Sequence, residues 1–376
     1  MVPVRTVTAR PGSSDPIPML RNDFPAASAH AGTDVRLDEA IAWVEVMAAP
    51  DGSRWSQIAP ASADASFRRY FRVTGEQGAT AIIMDAPPPK EDVRPFVNVT
   101  RLLADGGVHV PSLLASDEVR GFLLLGDLGN TTYLKALQGA PEHERQRLFA
   151  DAISTLTCLQ QIDPAHAATP LARYDAALLR REIDLFPEWY LGRHLNLTLS
   201  DDEKNALERV YATLIASALA QPAVLVHRDY MPRNLMVTNE RNPGVLDYQD
   251  AVVGPISYDV ASLMRDAFIS WEEPQVIDWV ARYWDRARKA GLPVRSDFSE
   301  FYRDVEWMGL QRHLKVLGIF ARINYRDGKP HYLADTPRFA RYVRDVAGRY
   351  QAFAPLVALF DRIEGTTAAV GYTFSG

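Results

Sequence analysis

The sequence has a single cysteine, Cys158, among its 376 residues. One cysteine excludes an intrachain disulfide and any metal site that is built on several cysteines. The neighbours of Cys158, from Ala152 to Leu159, are spaced as in a helix interior. We therefore interpret Cys158 as a small core residue and not as a nucleophile.

Long apolar segments are also absent. No run of eighteen apolar residues occurs, so we expect no membrane span. The first 33 residues carry three arginines among Pro, Ser, Ala and Gly, without the apolar centre of a signal peptide. We expect residues 1–35 to form a disordered tail and the protein to be cytoplasmic.

The chain has no large excess of charge of either sign. A formal net charge of −6 gives no electrostatic argument for a nucleic acid or an anionic membrane as partner. Its 47% hydrophobic and 23% charged residues are ordinary for a globular protein, and its length allows two domains. We expect a monomer that binds small molecules.

Three polar side chains lie at the ends of short apolar segments in the middle of the chain. The segments cover residues 223–226, 235–237 and 244–246. Asp229 follows the first, Asn234 lies five residues further on, and Asp247 lies thirteen residues after Asn234. Together with His227 this spacing matches the catalytic loop and metal-binding segment of kinases.

The residue types fit the chemistry of phosphoryl transfer. An acceptor hydroxyl needs a carboxylate to orient it and take its proton, the role we assign to Asp229. Mg²⁺ prefers hard oxygen ligands and takes few from the protein, and the oxygens of Asn234 and Asp247 meet that requirement. We expect His227 to support the loop through a hydrogen bond to backbone. The alternative is that these Asp and Asn residues only form turns.

The N-terminal part predicts a small antiparallel sheet. A helix is predicted over 37–47 and strands over 55–58, 67–73, 80–84, 108–115 and 121–125. The small residues of the first hairpin loop, which ends at Ser66, are expected to let backbone N–H groups approach a phosphate. Alternation places Arg69 on one face with Phe71 and Val73. An arginine among apolar neighbours needs an anionic partner, either ATP or a structural carboxylate.

Two features bear on nucleotide binding. The third strand ends in Met84 and Asp85, where protein kinases carry a lysine, and the helix predicted over 96–104 has no acidic residue. Arg68, Arg69 and Lys90 are the candidates for the missing phosphate contact. Asp127 and Leu128 interrupt the strand pattern between two glycines. They are candidates for a kinase hinge, although a plain interdomain linker has the same pattern.

After Pro141 helical spacing dominates, over 148–162, 176–195, 199–219 and 260–269. Asp259 fits the N-cap of the last of these helices, and Asp250 is either a supporting carboxylate or a turn former. Polar groups on otherwise apolar helices are what a sugar site uses. The candidates are Arg265, Asp266, Trp271, His313 and Arg322. The alternative is ordinary solvated faces and satisfied core groups.

With these segments in place, the chain resembles the aminoglycoside phosphotransferase and choline kinase superfamily. Within it, the sequence is most similar to bacterial cell-wall-recycling kinases that phosphorylate the anomeric hydroxyl of N-acetylmuramate and N-acetylglucosamine. The broad match is carried by residues 225–237, 245–250 and 254–259, and the narrow one by 64–73, 84–88, 126–129, 245–250, 312–322 and 325–329. Together they span about residue 36 to 350.

The resemblance implies an α+β, bilobal protein-kinase-like fold. It places a small antiparallel-sheet N-lobe in residues 36–126 and a larger, mainly helical C-lobe in residues 127–376. It also implies ATP and Mg²⁺ as cofactors, an amino sugar as substrate, Asp229 as the base and Asn234 with Asp247 as metal ligands. Two rivals remain: a kinase of this fold for an aminoglycoside, choline, homoserine or a methylthiosugar, and a nucleotide-binding pseudokinase, which the missing Lys–Glu pair favours.

Overall fold

The computed structural model describes residues 34–63 and 67–365 of the chain. These residues form two compact units. The first contains the described residues up to Thr131, together with Ala167–Thr169 and Met236–Asp250. The second contains Thr132–His166, Pro170–Leu235 and the described residues from Ala251 onward. The first unit therefore includes a short segment from the middle of the chain, which carries Asp247.

The first unit begins with helix α1 (Val35–Glu45). Asp34 caps this helix, because its carboxylate accepts a hydrogen bond of 3.0 Å from the backbone N–H of Leu37. That bond satisfies one of the N–H groups that a helix start leaves without a partner. The helix starts two residues earlier than predicted.

An antiparallel sheet of five strands follows, as predicted. The strands are β1 (Trp55–Ala63), β2 (Arg69–Gly75), β3 (Thr80–Asp85), β4 (Leu113–Asp117) and β5 (Phe122–Gly126), in the spatial order β1-β2-β3-β5-β4. Helix α2 (Arg94–Asp105) connects β3 to β4. The fourth strand is shorter than predicted, because its first five residues, 108–112, lie outside any strand.

One face of this sheet packs against α1. Ala40, Trp43 and Val44 of the helix belong to one buried apolar cluster with sheet residues, including Phe71, Val73, Ile83, Phe122 and Leu124. Arg69 shares this face, as the alternation of β2 predicted, and its guanidinium lies 5.4 Å from the ring centroid of Phe71. The opposite face of β2 carries Arg72, to which the sequence analysis gave no role.

The second unit is mainly helical. Its first helices are α3 (Tyr133–Leu137), α4 (Glu142–Gln160), α5 (Ala176–Ile183) and α6 (Asp201–Leu219). The helix predicted over 176–195 is interrupted, and residues Phe186–His194 form a π-helix. Pro187 has no N–H to continue the α-helical hydrogen bonds after α5, which accounts for the interruption.

Four short strands lie before and after the candidate catalytic loop in the chain. They are β6 (Ala223–Val226), β7 (Leu235–Met236), β8 (Gly244–Val245) and β9 (Val252–Pro255). The first three lie in the apolar segments 223–226, 235–237 and 244–246, and no such segment was identified at β9. β9 is nevertheless the antiparallel partner of β6, whereas β7 and β8 pair with each other. Helix α7 (Tyr258–Met264) follows β9.

The chain ends in helices α8 (Glu273–Lys289), α9 (Phe298–Asp327), α10 (Thr336–Ala347) and α11 (Ala354–Glu364). Helix α9, 30 residues long, contributes Leu310, Leu314, Leu317 and Phe320 to the main apolar core of this unit. Gly318 permits close packing, because a Cβ there would lie 2.3 Å from the carbonyl carbon of Leu185. Among the described residues, no helix combines the length and apolar character needed to cross a membrane.

Candidate active site

The loop between β6 and β7 carries two of the predicted site residues, Asp229 and Asn234. The Nδ1 atom of His227 accepts a hydrogen bond of 3.2 Å from Asp229 N, which confirms the predicted support of the loop by this histidine. Asn234 Nδ2 donates to the carbonyl oxygen of Asp229 at 2.9 Å, and Asn234 N donates to Met231 O at 2.8 Å. These hydrogen bonds join residues of the same loop. Within it, Asp229 is half-buried and Asn234 is buried.

Asp259 corrects a prediction. It does not cap α7, because that helix begins at Tyr258 with Ser257 at the N-cap position. Instead its two carboxylate oxygens accept hydrogen bonds from His227 N at 2.7 Å and Arg228 N at 3.0 Å. Burial raises the pKa of Asp259, although the nearby His227 and Arg312 and these backbone bonds act in the opposite direction. The carboxylate anchors the start of the candidate catalytic loop.

Arg228, the residue before Asp229, has a backbone conformation that is rare for a side chain with a Cβ. Its φ is +77°, in the left-handed region, where such strain typically costs about 1–3 kcal/mol. Three contacts hold it there: its N–H bonds to Asp259, its carbonyl accepts from Arg312 at 2.9 Å, and its guanidinium donates to Glu182 at 2.5 Å. The strained conformation is therefore fixed on all sides.

Glu182, on α5, is the centre of a buried ionic cluster behind this loop. Besides Arg228, it accepts hydrogen bonds from Lys315 Nζ at 2.8 Å and from the Tyr174 hydroxyl. Burial opposes ionisation of Glu182, but the charges of Lys315 and Arg228 outweigh it and hold its pKa at about 2. We call the residues Glu182, Arg228, Asp259, Arg312 and Lys315 the loop-support cluster.

Sequence reasoning did not identify Glu182, Arg312 or Lys315 as site residues. Arg312 and Lys315 lie on α9, and Arg312 reaches a carbonyl 84 residues earlier in the chain. Chemistry could have pointed to these residues, because basic side chains on the buried face of an apolar helix require a buried acid as partner. No spacing in the sequence points to Glu182 as that acid.

The third predicted residue, Asp247, belongs to the first unit. It follows β8 with a φ of +64°, a conformation that Asp adopts more readily than most residues. Next to it, Tyr248 stacks on Phe96 of α2 at 4.9 Å and shares a hydrogen bond of 2.9 Å with Thr100. Asp247 Oδ1 accepts from Gln249 Nε2 at 2.9 Å. The buried tyrosine thus fixes the backbone that presents this carboxylate.

Asn234 and Asp247 fit the donor preferences of Mg²⁺. The amide nitrogen of Asn234 is engaged with the loop backbone, so its Oδ1 is the atom suited to a cation. Asp247, in the first unit, offers a carboxylate, and both groups are hard oxygen donors. Within 34–63 and 67–365, no group of three or more His, Cys, Asp or Glu residues is arranged to hold a metal ion.

The arginines proposed for phosphate binding have carboxylate partners in the first unit. Arg68 Nε donates to Glu91 at 3.1 Å. Arg69 bonds to Asp85, its direct neighbour across β2 and β3, at 2.6 Å and to Asp34 at 2.5 Å. These contacts favour the structural ion pair, one of the two alternatives that the sequence left open for Arg69.

The other nucleotide candidates are placed differently. Lys90 is exposed, and its ammonium lies 4.5 Å from the ring centroid of Phe67. Ser66 lies outside the described residues. Leu128 is half-buried against Gly244, where an added Cβ would lie 2.7 Å from Leu128 Cδ1 and would require the leucine side chain to shift.

Asp127 forms a two-bond ion pair with Arg72, at 2.6 and 2.9 Å, and accepts a third bond from Gly129 N at 2.9 Å. Burial opposes ionisation of Asp127, but these bonds leave its pKa below the usual value. Arg72 was not predicted as a functional residue. The alternation of β2 could have identified it, because it places Arg72 on the face opposite Arg69. The pair ties the segment after β5 to the sheet.

Three of the predicted sugar contacts lie together in the second unit. Asp266 Oδ1 accepts from Phe268 N at 2.6 Å and Ile269 N at 3.0 Å, while its buried Oδ2 has no partner among the described residues. Burial raises the pKa of Asp266 to about 6. His313 Nε2 lies 3.3 Å from the carbonyl oxygen of Arg265. Burial lowers the pKa of His313 to about 3, so its imidazole is neutral at pH 7. Because a carbonyl oxygen can only accept, a hydrogen bond at this distance requires the proton on Nε2.

The remaining sugar candidates have other neighbours. Arg265 forms an ion pair with Glu273 at 2.5 Å. Trp271 packs edge-on against Phe149 at 5.4 Å and Trp279 at 5.2 Å, and its indole nitrogen has no partner among the described residues. Arg322 is half-buried further along α9, and burial lowers its pKa. Trp271 therefore belongs to an aromatic cluster and not to the Asp266 group.

Comparison with known proteins agrees with this architecture. A relative from Pseudomonas putida, named N-acetylmuramate/N-acetylglucosamine kinase, is 53% identical over 328 residues, covering 87% of this chain and 92% of the relative. A relative of the same name from Pseudomonas aeruginosa is 52% identical over 301 residues, covering 80% of this chain and 87% of its own.

Solved structures identify the fold. An ADP-bound aminoglycoside phosphotransferase superposes with a TM-score of 0.57 at 13% identity, covering 82% of this chain and 97% of that one. At this identity the likeness establishes the fold alone, and it confirms the predicted α+β protein-kinase-like fold. The sequence model described as "Phosphotransferase enzyme family" (APH) matches residues 57–297. The chain therefore belongs to the APH phosphotransferase family and is a kinase.

Proposed function

We propose that this kinase transfers the γ-phosphoryl group of ATP, with Mg²⁺, to the anomeric hydroxyl of N-acetylmuramate and N-acetylglucosamine. The products are sugar 1-phosphates, which would serve peptidoglycan recycling in the cytoplasm, where ATP is present. The observation that carries this proposal is the identity of 53%, 52% and 50% with three relatives named for these two sugars.

Asp229 is the proposed base. An anomeric hydroxyl is more acidic than an ordinary alcohol because the ring oxygen is bonded to the same carbon. A carboxylate with the correct position is therefore a sufficient base. The hydrogen bonds of His227 and Asn234 to the Asp229 backbone support this role, because positioning supplies much of the rate in phosphoryl transfer.

Asn234 Oδ1 and the Asp247 carboxylate are the proposed magnesium ligands. Bound Mg²⁺ supplies charge stabilisation on the phosphate oxygens during transfer. The anchoring of Tyr248 against α2 supports this proposal for Asp247, since a fixed backbone holds the carboxylate in one position.

Nucleotide binding is proposed for the first unit, and the ADP-bound neighbour supports nucleotide use. Asp127 and Leu128 would present backbone groups to adenine, and the ion pair of Asp127 with Arg72 supports a fixed segment there. Ser66, Arg68 and Lys90 are the proposed phosphate contacts. We assign Arg69 to the ion pair with Asp85.

For the acceptor, the strongest candidate is Asp266, because its buried Oδ2 lacks a hydrogen-bond partner among the described residues. A sugar hydroxyl would supply the missing donor. Arg265 is the residue before Asp266, and His313 Nε2 lies 3.3 Å from the carbonyl oxygen of Arg265. Both are therefore candidates for the same sugar site. Trp271 and Arg322 remain proposals with less structural support.

Acceptor profiling tests the function. ADP release is measured with N-acetylmuramate, N-acetylglucosamine, the 1-O-methyl glycoside of each, an aminoglycoside, choline and homoserine. The expected product has a phosphorus resonance coupled to the anomeric proton, and neither methyl glycoside is phosphorylated. Phosphorylation of a methyl glycoside would contradict the anomeric assignment. Turnover of only a non-sugar acceptor would favour a rival kinase, and ATP binding without turnover would favour the pseudokinase.

A further inference from the structure

The catalytic loop carries one exposed arginine to which the mechanism gives no role. Arg233 lies four residues after Asp229 and directly before Asn234, in the short 3₁₀ turn Pro232–Asn234. The hydrogen bonds of Asn234 to Asp229 O and Met231 O fix the backbone of this turn. Arg233 therefore projects from a rigid part of the loop.

The guanidinium of Arg233 has an aromatic neighbour but no acidic one. Its central carbon lies 5.0 Å from the ring centroid of Phe268, two residues after Asp266. No carboxylate of the described residues forms an ion pair with it. By contrast, Arg228 on the same loop pairs with Glu182, and Arg265 pairs with Glu273. Arg233 is thus a cation held beside the proposed acceptor residues without a protein anion to neutralise it.

The two proposed substrates differ by one charged group. N-Acetylmuramate is the 3-O-lactyl ether of N-acetylglucosamine and carries a carboxylate that the simpler sugar lacks. A buried cation dedicated to that carboxylate would be left unpaired whenever the neutral sugar binds, which is costly. An exposed arginine on an aromatic ring stays hydrated in that case, so it permits both substrates.

We propose that Arg233 binds the carboxylate of the anionic N-acetyl sugar and sets the preference between the two acceptors. This inference rests on the proposed function. The reach is reasonable, because the four-residue segment from Asp229 to Arg233 spans at most about 14 Å of chain. The proposal requires the lactyl group on carbon 3 to reach this side chain when the anomeric hydroxyl is at Asp229.

Substitution of Arg233 tests the proposal through a ratio. The value of kcat/KM for N-acetylmuramate divided by that for N-acetylglucosamine falls about 3- to 30-fold in Arg233→Gln, the range for a solvent-accessible charge-assisted contact. Arg233→Lys keeps the charge but not the two-pronged geometry, and retains part of the ratio. Arg233→Glu lowers the ratio further, because like charges repel.

Arg288→Gln is the matched control. Arg288 is exposed on α8, and its guanidinium lies 4.6 Å from the ring centroid of Trp284, a contact of the same kind away from the loop. Its substitution leaves the ratio at the wild-type value. Raising the ionic strength lowers the wild-type ratio toward that of Arg233→Gln, while the Arg233→Gln ratio changes little.

The outcomes separate this inference from the function on which it rests. An unchanged ratio in Arg233→Gln, or the same fractional loss for both sugars, overturns the carboxylate assignment while the proposed function stands. Absence of turnover of both sugars by the wild-type enzyme would overturn the proposed function, and this inference with it.

Discussion

Arginines in the two units use carboxylates for different purposes. In the sheet unit the pairs are local to the sheet: Arg69 bonds to Asp85 on the adjacent strand, and Arg72 to Asp127 just after β5. In the helical unit Glu182 forms ion pairs with Lys315, 133 residues away in sequence, and with Arg228, 46 residues away. The first kind of pair fixes a sheet, whereas the second fixes a strained loop. Separation in sequence does not distinguish the two kinds, because Arg72 lies 55 residues from Asp127; the difference is in the backbone that each pair holds.

The largest effect is expected from Glu182→Gln, which leaves Arg228 and Lys315 buried without their carboxylate. Removing one partner from a buried ionic cluster typically costs about 3–5 kcal/mol of unfolding free energy. Urea denaturation followed by circular dichroism measures the loss. The control is Glu208→Gln on α6, whose partner Arg180 is about half-exposed, where about 1 kcal/mol or less is expected. Equal losses in the two variants would refute the loop-support cluster as a stabilising element.

Next in size is Arg312→Lys. Lysine keeps a positive charge near Asp229 and Asp259 but loses the guanidinium bond to the carbonyl of Arg228. We expect kcat to fall about 10- to 100-fold, because the strained residue before Asp229 is released. The KM for ATP should change less than about threefold, since the change affects position and not nucleotide binding. Steady-state kinetics and thermal melts of the same variant distinguish a positioning role from a structural one. A lower melting temperature with wild-type kcat would mean that Arg312 only stabilises the fold.

A smaller effect, with a defined pH dependence, is expected from Asp266→Asn. The pKa of Asp266 is raised from 3.8 to about 6, so the folded protein binds this proton more tightly than the unfolded chain does. The stability from that proton is complete below pH 3.8 and is lost as the pH rises through about 6. Asparagine keeps the acceptor for Phe268 N without the charge. Relative to wild type, the variant should gain about 1–3 kcal/mol between pH 4 and pH 8. Denaturation curves at both pH values test this, and a pH-independent difference would contradict it.

The smallest effect is expected in the sheet. In Arg69→Gln the buried Asp85 keeps its second partner, Arg36, and Arg69 itself is about one-third exposed. We expect a loss of about 1 kcal/mol in stability and little change in the KM for ATP. A rise of tenfold or more in that KM, at unchanged stability, would mean that Arg69 contacts phosphate, the alternative to the ion pair.

The sequence predicted what depends on local pattern. Alternation gave the strand positions of the sheet, and the spacing of Asp229 and Asn234 identified one loop that the structure holds together by hydrogen bonds. It failed where the partner is distant. Asp259 looked like a helix cap because its neighbours in sequence allowed that role, while its real partners lie 31 and 32 residues earlier.

Two further features were not predicted, for different reasons. Glu182 sits in an ordinary helical pattern, and only the folded chain brings Lys315 and Arg228 to it. The π-helix at Phe186–His194 had a local cause in Pro187, yet proline near a helix start is equally compatible with a new α-helix. The placement of Asp247 relative to Asp229 stays a prediction.

The central claim is that Asp229 is the base of the phosphoryl transfer. The most direct test is the kcat of Asp229→Asn for N-acetylglucosamine, measured by ADP release beside its melting temperature. Asp285→Asn, an exposed carboxylate paired with Lys289 on α8, is the control. The account predicts a fall of about 10²- to 10⁴-fold for Asp229→Asn with the melting temperature retained, and wild-type turnover for the control. Near-normal turnover in a folded Asp229→Asn protein would contradict it.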